Sequence, residues 1–197
     1  MKTVVITGST RGIGLGLARE FLKRSHQVVV SGTSASSVER ALKQLDGLGE
    51  MIGQPCQVQD YESVQALWDK GFERFGKIDI WINNAGISTS KTILNELALD
   101  EIHNTVDTNL IGSILCTKVA ATEMLKQGFG QIYMFEGFGS NGQLQPGITV
   151  YGSTKRALRY FTAAAANEYK DTPILIGSIS PGIVTTDLLI RASKDNS

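Results

Sequence analysis

Residues 4–14 read Val-Val-Ile-Thr-Gly-Ser-Thr-Arg-Gly-Ile-Gly, an apolar run followed at once by a glycine-rich turn. The apolar run predicts a buried strand, and the helical period that follows, near Ile13–Ser25, predicts a helix. Glycine lets the backbone of such a turn approach a ligand, and the amino terminus of a helix attracts anions. The stretch therefore predicts a dinucleotide pyrophosphate site, with an ordinary tight turn as the alternative.

Short apolar runs continue to alternate with longer helical patterns along the chain, as in βαβ units. Strands are predicted at Lys2–Thr7, Gln27–Ser31, Ile52–Val58, Ile78–Ile82, Gln131–Phe135 and Ile174–Ile179. Helices are predicted at Ile13–Ser25, Ser36–Leu48, Ser63–Phe75, Asp100–Gln127 and Val150–Tyr169. Right-handed crossovers then give a single α/β domain over residues 1–197, a doubly wound, Rossmann-like parallel sheet with strand order 3-2-1-4-5-6. Its ligands should bind beyond the carboxyl ends of the strands.

Composition narrows the class of protein. The chain has 19 Lys plus Arg and 19 Asp plus Glu, so no overall charge points to nucleic acid. It contains no apolar run near the roughly 18 residues of a membrane span, and its first residues read as a strand rather than a targeting segment. Cys56 and Cys116 are predicted to be small core residues, and no metal site is predicted. These features favour a cytoplasmic protein.

Two further segments carry candidate chemistry. Asn83-Asn84-Ala85-Gly86 follows the fourth strand, and its small residues allow close approach to a bound cofactor, although it could also be a simple turn. Tyr151 and Lys155 are four residues apart on a predicted helix and therefore share a face. A nearby cation favours the ionised phenol, which suits proton transfer. The alternative is an aromatic ring packed under a lysine stem.

Five motifs in order resemble those of the short-chain dehydrogenase/reductase family, and the resemblance covers nearly the whole chain. They are Thr7–Gly14, Asn83–Gly86, Asn109 in Asp-Thr-Asn-Leu-Ile-Gly, Tyr151 with Lys155, and Pro181-Gly182. The resemblance implies that Tyr151 is the general acid when a carbonyl is reduced, and the base in the reverse direction. It implies that Lys155 holds the nicotinamide ribose and lowers the pKa of the tyrosine, while Asn109 helps to organise a proton relay.

The chain departs from the family where the family places a serine about 13 residues before the tyrosine. That position is Phe138, or Gly137 if the loop carries one inserted residue, and neither side chain can donate a hydrogen bond. The nearest hydroxyl belongs to Ser140, which is a candidate catalytic residue or a surface-turn serine. Glu136 ends the fifth strand, and is either a candidate catalytic residue that faces the same cleft or a strand-end residue in solvent.

The cofactor loops also differ from the family. Gln57 stands where the family often has an aspartate for the adenine, and Asp60 is predicted to cap the next helix. The second strand ends without the acid that would repel a 2′-phosphate, and Arg11 lies where similar enzymes place a basic residue. NADP(H) is therefore favoured over NAD(H), with a solvated Arg11 as the alternative. The implied cofactor contacts are Gly8, Ser9, Thr10, Arg11, Gly12, Ile13, Gly14, Thr33, Ser34, Gln57, Val58, Asn83, Ala85, Gly86, Tyr151, Lys155, Pro181, Gly182, Val184 and Thr186.

Four longer strings are similar to the chlorophyll b reductase branch of the family: Ile78–Gly86, Asn109–Thr117, Val150–Lys155 and Ser180–Leu189. This resemblance implies reduction of the 7-formyl group of chlorophyll b or chlorophyllide b to a hydroxymethyl group. Another aldehyde, ketone or alcohol is an alternative substrate. A nucleotide-binding scaffold with weak or no catalysis is an alternative function, because the usual serine is absent.

Family members usually continue beyond the point at which this chain stops, Ser197. The resemblance therefore implies that a seventh strand and a substrate-covering lid are missing. It also implies that the helices at Leu110–Leu125 and Leu158–Ala166 form a homodimer or homotetramer interface. Burial against the sheet is the alternative for these apolar helices, and must account for at least one face of each.

Overall fold

The computed structural model describes residues 1–182 of the chain. Its six strands form one parallel sheet with the order β3-β2-β1-β4-β5-β6, which confirms the predicted topology. The strands are β1 (Thr3–Ile6), β2 (Gln27–Gly32), β3 (Met51–Pro55), β4 (Ile80–Asn83), β5 (Gly130–Phe135) and β6 (Ile174–Ile179).

Helices connect the strands on both faces of the sheet. They are α1 (Gly12–Lys23), α2 (Ala35–Leu45), α3 (Tyr61–Phe75), α4 (Leu99–Val106), α5 (Gly112–Gln127) and α6 (Thr149–Glu168), with a short 3-10 turn at Leu94–Glu96. The single long helix predicted at Asp100–Gln127 is interrupted by a π-helical turn at Asp107–Ile111. Such turns often occur at functional sites, and this one contains Asn109.

Two apolar cores explain why the strands read as apolar runs. Val4 and Ile6 face the core under α1 and α2, whereas Val5 faces the core under α3, α5 and α6. Both faces of β1 are covered, so every residue of this strand is buried. Cys56 and Cys116 are free, buried core residues, as predicted, and burial raises the pKa of both thiols.

The third strand ends earlier than predicted, at Pro55, because residues 56–60 form the turn that leads into α3. Cys56 still donates its amide to the carbonyl of Gly32, but the amide of Gln57 donates to Ser63 Oγ at 2.9 Å. Asp60 occupies the predicted cap position of α3, although its side chain makes no capping hydrogen bond. Within residues 1–182, no helix combines the length and apolar character needed to cross a membrane.

Candidate active site

The turn after β1 has the backbone conformation that its glycines allow. Gly8 and Gly12 have φ angles of 63° and 55°, in the left-handed region that favours glycine. A Cβ on Gly8 would lie 2.8 Å from the Cα of Ala85, so this turn packs directly against the loop after β4. The helix α1 begins at Gly12 with no acidic residue in its first turn, which leaves its amides free to attract an anion.

Thr7 joins this turn to the loop after β4. Its Oγ1 accepts hydrogen bonds from the amides of Asn84 and Ala85, each at 3.0 Å, and donates to the carbonyl of Ile82. The side chain of Asn84 returns the contact by donating to the carbonyls of Thr7 and Gly8 at 2.9 and 3.1 Å. The two loops therefore form one rigid rim at the carboxyl ends of β1 and β4.

Two side chains predicted to contact a cofactor, those of Ser9 and Asn83, make hydrogen bonds beneath this rim. Ser9 Oγ donates to the carbonyl of Ile6 at 2.7 Å and accepts from the amide of Ser31. Asn83 is buried, accepting from Trp81 Nε1 and donating to Thr117 Oγ1, each at 3.0 Å. Neither side chain lines the cavity above the rim; Asn84, the next residue, does so in place of Asn83.

Tyr151 and Lys155 lie on one face of α6, and both line the cavity. Lys155 is buried, its Nζ donates to the carbonyl of Phe135 at 3.2 Å, and it lies 5.8 Å from the centre of the Tyr151 ring. Burial raises the pKa of Tyr151 and lowers the pKa of Lys155 to about 8. The family resemblance implies a lowered tyrosine pKa, whereas here burial raises the pKa of Tyr151 and favours the neutral phenol.

The lowered pKa of Lys155 predicts that this residue destabilises the fold at neutral pH. The folded pKa of about 8 lies below the ordinary value of 10.5, so the unfolded chain binds more protons and stability rises between these two pH values. Lys155→Met should raise the free energy of unfolding at pH 7 by about 2 kcal/mol, which is about 3 from the removed charge less about 1 for the lost hydrogen bond.

Urea denaturation at pH 7 and pH 10 measures this effect. Most of the difference between Lys155→Met and the wild type should disappear at pH 10, because the lysine of the folded wild type is then neutral. Lys170→Met is the matched control, since Lys170 is exposed just beyond the same helix. A variant that is less stable than wild type at pH 7 would contradict the prediction.

Asn109 fixes the loop after β4 to the helices. Its Oδ1 accepts from the amide of Ile87 at 2.8 Å, and its Nδ2 donates to the carbonyl of Ile87 at 2.9 Å and to Thr154 Oγ1 at 3.2 Å. The π-helical turn presents this buried side chain toward the loop. Asn109 does not itself line the cavity, so the structure places it as a support for Ile87 and α6.

The structure brings Gly137, rather than Phe138, next to the tyrosine. A Cβ on Gly137 would lie 2.5 Å from the Tyr151 hydroxyl and 3.2 Å from Lys155 Cε. Phe138 is 39% exposed. The aligned position opposite Tyr151 therefore has no side chain, and a serine there would overlap with the phenol.

Ser140 is turned away from the tyrosine. Its hydroxyl donates to Glu136 Oε2 at 3.2 Å, and its carbonyl accepts from Arg156 Nη1 at 2.9 Å. Ser140 is buried and does not line the cavity, whereas Glu136 does. Ser178 Oγ also donates to Glu136, at 2.9 Å to Oε1. The glycine-rich loop is thus anchored by the carboxylate, and the catalytic role predicted for Ser140 finds no contact with Tyr151 in the described part of the chain.

A cavity of about 810 Å³ opens at the carboxyl ends of the strands. Most predicted contacts line it: Gly8, Thr10, Arg11, Gly12, Ile13, Thr33, Ser34, Gln57, Val58, Ala85, Gly86, Tyr151 and Lys155. Five do not, namely Ser9, Gly14, Asn83, Pro181 and Gly182, whereas Val184 and Thr186 lie outside the described residues. The loops after β1 and β4 and the helix α6 thus line one cavity. Its position beyond the carboxyl ends of the strands is where dinucleotides bind in sheets of this type.

Sequence reasoning missed the face that α2 presents to this cavity. This face is formed by Ser37, Arg40 and Gln44, which all line the cavity. Their spacing of three and four residues places them on one side of a helix, and this spacing could have identified them in the sequence. Ser34 caps this helix by accepting from the amide of Ser37 at 3.2 Å. Within residues 1–182, neither Arg11 nor Arg40 is held in an ion pair.

The family model described as short chain dehydrogenase matches residues 2–197. The chain is 38% identical, over 98% of its length, to the probable chlorophyll(ide) b reductase NYC1, chloroplastic, of Arabidopsis thaliana, and covers 43% of that protein. It is 39% identical, over 96% of its length, to the chlorophyll(ide) b reductase NOL, chloroplastic, of the same plant, and covers 57% of it. The chain therefore spans about half the length of these curated relatives.

Solved structures agree with the fold. A crystal structure of an actinorhodin polyketide ketoreductase with NADPH has a TM-score of 0.88 and 30% identity, covering 99% of this chain and 74% of that one. The structure of ElxO with NADP bound has a TM-score of 0.88 and 31% identity, covering 99% of this chain and 79% of that one. The strand order, the rim of glycine-containing loops and the Tyr151–Lys155 face of α6 are consistent with these matches. The chain belongs to the short-chain dehydrogenase family of NAD(P)-dependent oxidoreductases.

Proposed function

We propose that the protein reduces a carbonyl compound with NADPH. The observation that carries this proposal is the position of a neutral phenol, Tyr151, beside Lys155 in the cavity that also contains the glycine-rich turn. The nicotinamide would supply the hydride, and the protein would supply position and a proton. The glycine-rich turn and the amino terminus of α1 would hold the pyrophosphate, and Lys155 would contact the nicotinamide ribose.

Tyr151 acts as the general acid in this proposal. A phenol is protonated at neutral pH, and burial raises its pKa further, so Tyr151 has a proton to donate to the carbonyl oxygen as negative charge develops there. Gly137 stands where the family places a serine and has no side-chain hydroxyl, so this proposal assigns proton donation to the phenol of Tyr151. Lys155, held against the carbonyl of Phe135, favours the phenolate that remains after transfer.

The preference for NADPH is supported by two arginines that line the cavity. Arg11 lies in the turn before α1 and Arg40 lies on α2, and the same cavity is lined by Thr33 and Ser34. A 2′-phosphate carries negative charge that guanidinium groups bind well, whereas the 2′-hydroxyl of NADH gains little from them. We infer that both arginines contribute to the discrimination.

Removal of either arginine tests this preference. Arg11→Gln and Arg40→Gln should each lower kcat/KM for NADPH about tenfold, because each removes one charge-assisted contact with the phosphate. The value for NADH should change less than about twofold. Arg159→Gln, an exposed arginine on α6, is the control. Equal losses with NADPH and NADH in both variants would contradict the assignment.

For the substrate, we propose the 7-formyl group of chlorophyll b or chlorophyllide b, reduced to a hydroxymethyl group. The identities of 38% and 39% to chlorophyll(ide) b reductases support this choice. The test is NADPH oxidation measured with chlorophyllide b and with a panel of simple aldehydes, ketones and the reverse alcohols. Turnover of the panel without turnover of chlorophyllide b would assign another carbonyl substrate.

The absent serine favours a second candidate, a nucleotide-binding scaffold with weak or no catalysis. Gly137 offers no side-chain hydrogen-bond donor, and the hydroxyl of Ser140 donates to Glu136. Two measurements separate the candidates: the affinity for NADPH, obtained from the fluorescence of the bound nicotinamide, and the rate of carbonyl reduction. Tight binding without oxidation of any carbonyl would favour the scaffold.

We also propose a homodimer or homotetramer in which α5 and α6 form the interface. Tyr160 on α6 is 78% exposed and Leu125 on α5 is 41% exposed, although the opposite faces of both helices are buried against the sheet. Light scattering after size exclusion measures the assembly.

The two curated relatives are named chloroplastic, so they lend no support to a cytoplasmic location.

A further inference from the structure

The carboxylate of Glu136 is held in a fixed position at the edge of the cavity. Glu136 directly follows β5, and its amide continues the sheet by donating to the carbonyl of Ile179 at 2.9 Å. Its side chain accepts from Ser140 at 3.2 Å and from Ser178 at 2.9 Å. These two hydroxyls come from the following loop and from the neighbouring strand β6, so three segments of the chain fix one carboxylate.

This carboxylate lies at the reacting end of the cavity. Glu136, Tyr151 and Lys155 all line it, and the residue before Glu136 supplies the carbonyl that holds the ammonium of Lys155. A Cβ on Gly137, the next residue, would lie 2.5 Å from the Tyr151 hydroxyl. No ion pair joins Glu136 to Lys155 within residues 1–182. Glu136 therefore lines the same cavity as the phenol, without a salt-bridge partner among residues 1–182.

Both oxygens of Glu136 accept hydrogen bonds from serine hydroxyls, so the carboxylate is held through both of its oxygens. A negative charge at this position attracts hydrogen-bond donors and repels anions that approach the phenol. The repulsion also offsets the attraction that Lys155 exerts on an anion at the same end of the cavity.

We propose that Glu136 is a specificity-determining residue that excludes carbonyl compounds with an anionic group near the carbonyl. The role in substrate choice rests on the proposed reductase function. Neutral carbonyl compounds, and those with a hydroxyl or amide donor in the same place, are accepted. The loop is fixed by Ser140 and Ser178 so that the charge stays at the cavity edge.

Two matched pairs of probes test the proposal. The first pair, 3-formylbenzoate and its methyl ester, compares kcat/KM with saturating NADPH. The second pair, benzoate and benzamide, compares dissociation constants from the fluorescence of bound NADPH and needs no turnover. Glu136→Gln should raise kcat/KM for 3-formylbenzoate and tighten benzoate binding by about tenfold, since it removes one charge a few ångströms away. The ester and benzamide should change less than about twofold.

Control variants separate charge from structure. Glu136→Asp keeps the charge and should keep the discrimination, whereas Glu168→Gln removes a charge from the exposed end of α6 and should change neither pair. If the ratio of the dissociation constants for benzoate and benzamide is the same in Glu136→Gln as in the wild type, the proposal is wrong, whatever the rate of turnover. If no carbonyl is reduced but benzoate binding tightens, the reductase function fails while the charge selection by Glu136 stands.

Discussion

Tyr151→Phe should lower kcat for carbonyl reduction by about a thousandfold, because it removes the proton that the reaction delivers to the carbonyl oxygen. The phenylalanine ring can keep the packing of the phenol against Gly137 and over Lys155, so the fold should be retained. NADPH binding should change less than about threefold, since within residues 1–182 the hydroxyl makes no hydrogen bond that supports the rim of the cavity. The loss should therefore appear in kcat and not in the affinity for the cofactor.

Single-turnover oxidation of bound NADPH measures the chemical step without product release. Tyr61→Phe is the matched control, because it removes the same hydroxyl from an exposed position on α3, outside the cavity and the proposed interface. The control should keep full activity. If Tyr151→Phe retains more than about a tenth of the wild-type rate, another group supplies the proton and the assignment of the acid is wrong.

Gly137→Ser should lower kcat about a hundredfold, although it restores the residue type that the family normally uses. A Cβ at this position would lie 2.5 Å from the Tyr151 hydroxyl and 3.2 Å from Lys155 Cε, so the phenol or the loop must move. A displacement of about 1 Å in a reacting group can cost a hundredfold in rate. A loss of activity would indicate that only glycine fits beside Tyr151, whereas unchanged or higher activity would indicate that the site accepts a serine there.

Phe138→Ser is the control for this substitution. It introduces the same side chain one residue later, at a position that is 39% exposed, and should leave kcat within about twofold of the wild type. Circular dichroism and NADPH affinity should be unchanged in both variants if the displacement is local. An increase in kcat for Gly137→Ser would show that the serine can enter the site and complete the family's usual arrangement.

The sequence was sufficient for the sheet order and for the approximate position of every strand. Apolar runs of four to six residues separated by helical patterns are local properties, and right-handed crossovers then leave few arrangements. The glycine-rich turn after β1 and the pairing of Tyr151 with Lys155 were equally accessible. A turn and an i, i+4 spacing are fixed by the local backbone, so they do not depend on distant packing.

The direction in which a side chain points at the end of a strand could not be predicted from such local patterns. Alternate residues of a strand point to opposite faces, so the end of β4 at Asn83 decides that this side chain enters the core and that Asn84 reaches the cavity. Sequence patterns locate strand ends only to within a few residues. The choice between Gly137 and Phe138 opposite Tyr151 depended on the same kind of detail.

By itself, then, the sequence determined the family, the fold and the residues that could carry proton transfer. Only the tertiary structure decided that Arg40 joins Arg11 at the cavity, that Ser140 binds Glu136, and that burial raises the pKa of Tyr151. The physical reason is that hydrogen-bond partners, electric charge and solvent exclusion act through space. Residues far apart in the chain set them, and no local pattern records the distance between such residues.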